Sequence, residues 1–202
     1  MAGKIRIISG RWRGRRLKVP GLPGLRPSGD RVRETLFNWL QWDIAGARCL
    51  DLFAGTGALG LEALSRGAAK VTFVERNRKL VAALRELAAS WPGGEGMEVV
   101  QGDVAGWLAS QAGRNHEASF DLVFIDPPFS SGLEEPALEL LLQNVPLSAG
   151  VRIYVEQAAS ARAPAASGRL DMLRSKTVGE VRMNLFTLAE NSPDRQRGLA
   201  AL

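Results

Sequence analysis

The sequence predicts an α/β fold built on a mostly parallel, doubly wound sheet, with an antiparallel hairpin at its C-terminal edge and a basic N-terminal extension. Three observations predict it. From Cys49 onward, short apolar runs alternate with helix-like stretches, the pattern of βαβ units whose strands are covered on both faces. A glycine-rich turn, Gly55-Thr56-Gly57-Ala58-Leu59-Gly60, follows the first of those runs. The last two strand-like runs have only Gly179 and Glu180 near the turn between them, which reads as a hairpin and not a crossover.

With 202 residues the chain has room for one α/β domain plus an extension. Its 46% hydrophobic content suffices for a real core. No apolar run approaches the roughly 20 residues that span a bilayer, and the N-terminus lacks a signal-peptide h-region. The lone Cys49 excludes an internal disulfide and a thiolate-rich metal site. A cytoplasmic protein is expected, with no metal, no membrane contact and no feature that demands a dimer, so a monomer.

The net charge of +5 is unevenly spread. Residues 1–33 hold ten of the 26 basic residues and one acid, Asp30, which leaves 16 bases against 20 acids beyond them. Eight of the ten are arginine, interleaved with Ile5, Ile7, Ile8, Trp12 and Leu17. Arginine forks phosphates and stacks on bases, and Trp12 offers a stacking face. Arg11, Trp12, Arg13, Arg15, Arg16, Lys18, Arg26, Arg31 and Arg33 are therefore candidate RNA contacts. The alternation around Gly10 and Gly14 predicts short strands there. A Pro/Gly loop follows, then an amphipathic lead-in helix with Val32, Leu36, Phe37, Trp39 and Leu40 at helical spacing and Asp30 as N-cap.

Strands are expected at 49–53, 70–75, 97–101, 120–125 and 151–156, with helices near 58–66, 77–90, 104–112 and 133–144. The hairpin is expected from the runs at 169–178 and 180–188. Three parts follow: a basic extension with the lead-in helix (1–45), an α/β domain (46–190), and a frayed tail (191–202).

The glycine turn permits close backbone approach to a ligand, and Glu75 ends the next strand as a dinucleotide fingerprint requires. Alone this fits NAD as well. Asp51 lies inside the first strand, four residues before Gly55, where a carboxylate meets an ammonium that S-adenosylmethionine has and NAD lacks. Glu75 suits ribose hydroxyls, and Asp103, past the third strand, suits an adenine amino group. The candidate cofactor residues are Asp51, Phe53, Gly55, Gly57, Glu75, Arg76, Asp103 and Val104.

The fourth apolar run ends in Asp126-Pro127-Pro128-Phe129. Two prolines end ladder pairing and stiffen the turn. An exocyclic amino group is a poor nucleophile because its lone pair is delocalised into the ring. Two fixed acceptors, the Asp126 side chain and the Pro127 carbonyl, can take its N–H bonds and free that lone pair, while Phe129 stacks on an extruded base.

The glycine turn after an acidic strand, together with a [DNS]PP[FYW] tetrapeptide, resembles class I amino-methyltransferases. The segments RIISGRWRGRRL, LRPSGDRVRETLFNWL, CLDLFAGTGALGLEALSRGA and DPPF are similar to the bacterial 16S ribosomal RNA guanine-N2 methyltransferase family known as RsmD, over about residues 4–190. The resemblance implies a Rossmann-like, seven-stranded sheet with an antiparallel last pair and S-adenosylmethionine as donor, giving S-adenosylhomocysteine. It also implies a guanine of 16S rRNA as target, within a partly or fully assembled 30S subunit, and a lead-in from Arg26 to Thr35 that closes over cofactor and target.

The alternatives are N6-adenine methylation of nucleic acid, methylation of a protein glutamine, an NAD-dependent oxidoreductase, and a non-catalytic RNA-binding module. Among weaker signals, His116 reads as a loop residue and Cys49 as core. Trp39 and Trp42 read as packing the lead-in helix on the body, Trp91 and Trp107 as core or rim. Glu62 reads as a solvated face of the first helix after the glycine turn.

Overall fold

The five apolar runs form the parallel part of a seven-stranded sheet in a computed structural model that describes residues 4–18, 29–114, 119–128, 131–164 and 168–190. Phe129, Arg26 and His116 lie outside the described residues, as do the Lys18 side chain and the 191–202 segment. Strands β1 (Lys4–Arg6) and β2 (Arg16–Lys18) pair antiparallel as a separate hairpin. Helix α1 (Asp30–Trp39) follows, then β3 (Arg48–Asp51), α2 (Ala58–Ser65), β4 (Lys70–Glu75), α3 (Arg78–Ser90), β5 (Met97–Gln101), α4 (Val104–Ser110), β6 (Phe120–Ile125) and α5 (Glu134–Asn144). The chain ends its regular structure in β7 (Leu147–Ala158), β8 (Leu170–Val178) and β9 (Val181–Leu188).

The strand order is β5-β4-β3-β6-β7-β9-β8. β3 to β7 run parallel, and β9 pairs antiparallel with both β7 and β8. The Rossmann-like, seven-stranded expectation is met. β3 has β4 on one side and β6 on the other, so the direction of winding reverses there. Ligands of open α/β sheets bind outside the strand C-termini at such a switch point.

Boundaries differ where local pattern is weakest. β7 begins at Leu147, four residues before the expected start, and a register shift between Phe120 and Leu122 opposite it accommodates the additional length. Gly29, not Asp30, occupies the N-cap of α1; Asp30 is the first helical residue, and its carboxylate accepts from Arg33 Nη2 at 2.6 Å.

Every residue of α2 is buried. One side packs on the sheet so closely that a Cβ on Gly60 would lie 2.3 Å from the Phe73 ring, which fixes glycine at the third position of the turn motif. The other side is covered by the N-terminal hairpin, whose Ile5, Ile7, Trp12 and Leu17 join the same apolar cluster as Leu61 and Leu64. Glu62 is consequently not a solvated face residue: it is fully buried. Its Oε2 accepts from the Ile8 N–H at 2.7 Å, and its Oε1 from the Ser9 N–H at 3.0 Å and Arg66 Nε at 2.7 Å.

Trp39 is half-buried against this cluster. Trp42, expected to pack on the body, is instead 88% exposed, because it falls in the turn that follows α1. Cys49 is core, as expected, and burial pushes its thiol far above the usual range. No described helix is long and apolar enough to cross a membrane.

Candidate active site

A cleft of about 940 Å³ opens at the C-terminal ends of β3, β4, β5 and β6. Its lining includes Asp51, Phe53, Gly55, Glu75, Arg76, Asp103 and Val104, together with Asp126, Pro127 and Pro128 after β6. Every described candidate cofactor and catalytic residue thus borders one cavity, except Gly57. Gly57 is the N-cap of α2, with φ +79, and a Cβ there would meet Leu84 Cδ2 at 2.6 Å. Its place in the motif is explained by turn conformation and packing.

The three acids differ in their surroundings. Asp51 is 2% exposed, and its Oδ2 accepts from the Gly60 N–H in the first turn of α2 at 3.0 Å. Burial raises its pKa from 3.8 to about 7, against the lowering effect of that hydrogen bond and with a further push from the Glu75 charge. A half-neutral carboxylate in a cleft wall suits a cationic ligand, whose charge would restore its ionised form. Glu75 is partly exposed and braces the loop: Oε2 accepts from the Gly55 N–H at 2.8 Å, and Oε1 from the Asn77 N–H at 2.7 Å. Asp103 caps α4, accepting from the Gly106 N–H at 2.8 Å. A carboxylate has about four lone-pair sites, so these backbone bonds leave Glu75 and Asp103 capacity to accept from a ligand.

Asp126 follows directly from β6, whose Ile125 pairs with Val155 of β7. That register sets Asp126 beside Glu156, a carboxylate that the reading of strand ends had not singled out. Glu156 is 2% exposed, lines the same cleft, and accepts from the Tyr154 hydroxyl at 2.8 Å. Burial, with the nearby charges of Glu156 and Asp126, holds the Tyr154 hydroxyl well above the usual tyrosine range, so it stays a donor. The signal was present: VRIYVE ends an apolar strand in an acid, as KVTFVE does at Glu75.

The basic extension divides into two groups. Arg11, Arg13, Arg15, Arg16 and Arg31 are exposed. Arg11 lies over the Trp12 ring at 4.7 Å and Arg15 over Trp91 at 4.8 Å, which stiffens two of them on a flat support. Trp12 and Arg33, by contrast, are structural. The Trp12 indole is 2% exposed, packs edge-on against Trp91 at 5.0 Å and donates from Nε1 to the Pro92 carbonyl at 2.9 Å. It cannot stack on a base without leaving the core. Arg33 is fully buried and donates to Asp30 Oδ1 at 2.6 Å and to the Arg6 carbonyl at 3.0 Å, with Glu62 at ion-pair distance. It has no surface with which to reach phosphate.

The basic extension meets the body at two places. Arg31 borders a groove of about 330 Å³ together with Lys176, near the β8–β9 turn, and β9 begins beside the C-terminal end of β7, the cleft end of the sheet. The Gly10–Gly14 turn instead docks on Ser65, at the far end of α2. Helix α2 has eight residues, about 12 Å at 1.5 Å per residue.

Known proteins resemble this chain over most of its length. The family model described as Conserved hypothetical protein 95 matches residues 5–187. Ribosomal RNA small subunit methyltransferase D of Escherichia coli (strain K12) is 46% identical over 185 residues, 92% of this chain and 90% of that protein. The protein of the same name from Haemophilus influenzae is 43% identical over 185 residues, 91% of this chain and 94% of that one. The solved structure of yhhF from Escherichia coli aligns with a TM-score of 0.77 at 44% identity, over 92% of this chain and 98% of that chain.

Proposed function

This chain belongs to the family of ribosomal RNA small subunit methyltransferase D, and on that premise we propose that it transfers a methyl group from S-adenosylmethionine to the exocyclic N2 amino group of a guanine in 16S rRNA, within the 30S subunit. The observation that carries the proposal is the convergence of Asp51, Glu75 and Asp103 with Asp126 and Pro127 on one cleft.

The residues present fit the donor. Asp51 would take its ammonium, Glu75 its ribose hydroxyls and Asp103 its adenine amino group, with Phe53, Arg76 and Val104 as walls. S-adenosylmethionine supplies, when bound, an electrophilic methyl carbon on a sulfonium. The Asp126 carboxylate and the Pro127 carbonyl accept the two N–H bonds of the target amine, which draws the nitrogen lone pair out of conjugation. As the nitrogen took the methyl carbon, the carbon–sulfur bond would break with S-adenosylhomocysteine as leaving group, and the amine would lose one proton, which Asp126 would take and pass to water. Pro127 and Pro128 fix the turn so that neither acceptor reorganises during the reaction.

The test is transfer of labelled methyl from S-adenosylmethionine to 30S subunits lacking the modification, with nucleoside analysis. Labelled N2-methylguanosine in 16S rRNA supports the reading. Labelled N6-methyladenosine would retain the mechanism and replace the base. No label in RNA would overturn it.

A further inference from the structure

We propose that Glu156 is the residue that selects guanine over adenine, by accepting the N1–H of the target base. This rests on the amino-methylation reading above and adds a role for a side chain outside the tetrapeptide.

Three observations carry it. The β6–β7 register sets Glu156 beside Asp126. Both carboxylates line the cleft with Pro127 and Pro128. Glu156 is 2% exposed and follows the buried Ile153, Tyr154 and Val155 in its strand, a costly position for a carboxylate without a purpose. The Tyr154 hydroxyl holds Oε2 at 2.8 Å, which fixes the carboxylate plane while leaving it acceptor capacity, since a carboxylate takes about four hydrogen bonds.

The chemistry of the bases does the rest. Guanine presents adjacent donors, N1–H and the N2 amino group, along one edge. A base taken out of its helix is read on that edge. If Asp126 and the Pro127 carbonyl take the N2 hydrogens, the next acceptor along the row meets N1–H. Adenine carries a lone pair at N1. Against a buried carboxylate that lone pair is repelled, and the penalty of an unpaired buried polar group is what makes such sites selective.

The experiment compares Glu156→Gln with wild type on 30S particles reconstituted with 16S RNA carrying either guanine or 2-aminopurine at the modified position. 2-Aminopurine keeps the N2 amine but has a lone pair at N1. Wild type should prefer guanine by about 100-fold in kcat/KM, in line with sites built to hydrogen-bond a substrate group. In E156Q the amide N–H donates to the N1 lone pair, so the preference should fall below about tenfold. S-adenosylmethionine affinity, measured by calorimetry, should be unchanged. An undiminished guanine preference in E156Q, or a wild type indifferent to the two bases, would overturn the assignment. Failure of wild type to methylate guanine N2 at all would overturn the reaction reading itself, and this assignment with it. Should E156Q not fold, Tyr154→Phe releases Oε2 and should lower the guanine preference several-fold with cofactor affinity intact; an unchanged preference there would also overturn it.

Discussion

Gly10 sits so close to Ser65 that a Cβ on residue 10 would lie 1.9 Å from the Ser65 carbonyl oxygen. The next residue, Arg11, donates its N–H to that same oxygen at 2.7 Å, and the Ser65 hydroxyl bonds both Ser9 and Trp12. The N-terminal hairpin is therefore fastened to the C-terminal end of α2 by backbone contacts that leave no room for a side chain.

Gly10→Ala should be strongly destabilising. Gly10 has φ +81, so alanine meets both backbone strain and a clash with a carbonyl that cannot rotate away. Together these cost about 3 kcal/mol, or about 6–12 °C of Tm for a chain of this size. Calorimetry checks it; a shift under about 2 °C would mean that the hairpin moves off α2 without cost. Gly14, whose Cβ would meet nothing within 4 Å, should show the backbone strain alone.

The parallel sheet was legible because its strands are buried on both faces, and runs such as KVTFVE and FDLVFI carry the apolar density that double coverage requires. What was not legible depended on partners distant in sequence. Glu62 lies in an apolar helix, and besides Arg66 one turn on, its partners are the N–H groups of Ile8 and Ser9, some 54 positions away, and the buried Arg33. Trp12 among arginines has the composition of a nucleic-acid contact. The hydrogen bond to Pro92, 80 positions away, makes it core instead. The three acids that border the cleft beside the glycine turn were readable from strand ends alone, and the same rule applied to β7 would have named Glu156.

Asp51 makes a pH prediction with a definite sign. Its pKa in the folded chain is about 7 against an ordinary 3.8, so between about pH 4 and 7 the folded state keeps a proton that the unfolded state has released. Stability from this group therefore falls as pH rises through that window, and Asp51→Asn should remove that slope. S-adenosylmethionine affinity should run the other way. An ammonium favours ionised Asp51, so affinity should rise by up to about tenfold per pH unit between about pH 5 and 7, where an α-amino group stays protonated. Titration calorimetry across that range tests it; flat affinity would separate Asp51 from the ammonium.

The division of the basic extension gives a third expectation. Arg13→Ala with Arg16→Ala removes two exposed charges, so folding should be unaffected while RNA affinity and the steepness of its salt dependence both drop. The log–log slope should fall by about one unit for each phosphate that is no longer neutralised. Trp12→Ala should do the reverse and cost about 3–5 kcal/mol of stability, the usual range for emptying a buried aromatic site. Filter binding at several salt concentrations, beside thermal melts, separates the two. An unchanged slope in the double arginine variant would put the RNA elsewhere.

Asp126 carries the sharpest kinetic expectation. It follows β6, whereas Asp51, Glu75 and Asp103 stand at the ends of β3, β4 and β5, so the residues proposed to hold the donor are carried by other strands. Asp126→Ala should leave S-adenosylmethionine affinity within about twofold and lower kcat by about 100- to 1,000-fold, the range for removing one preorganised acceptor or donor at a reacting group. Asp126→Asn keeps one acceptor oxygen in nearly the same place, so it should fall between wild type and alanine. It should also lose any acceleration that depends on the carboxylate taking the proton. Single-turnover rates with saturating donor make the comparison independent of product release. A variant that lost donor binding along with turnover would place Asp126 on the cofactor, and the acceptor role would then pass to the Pro127 carbonyl and Glu156.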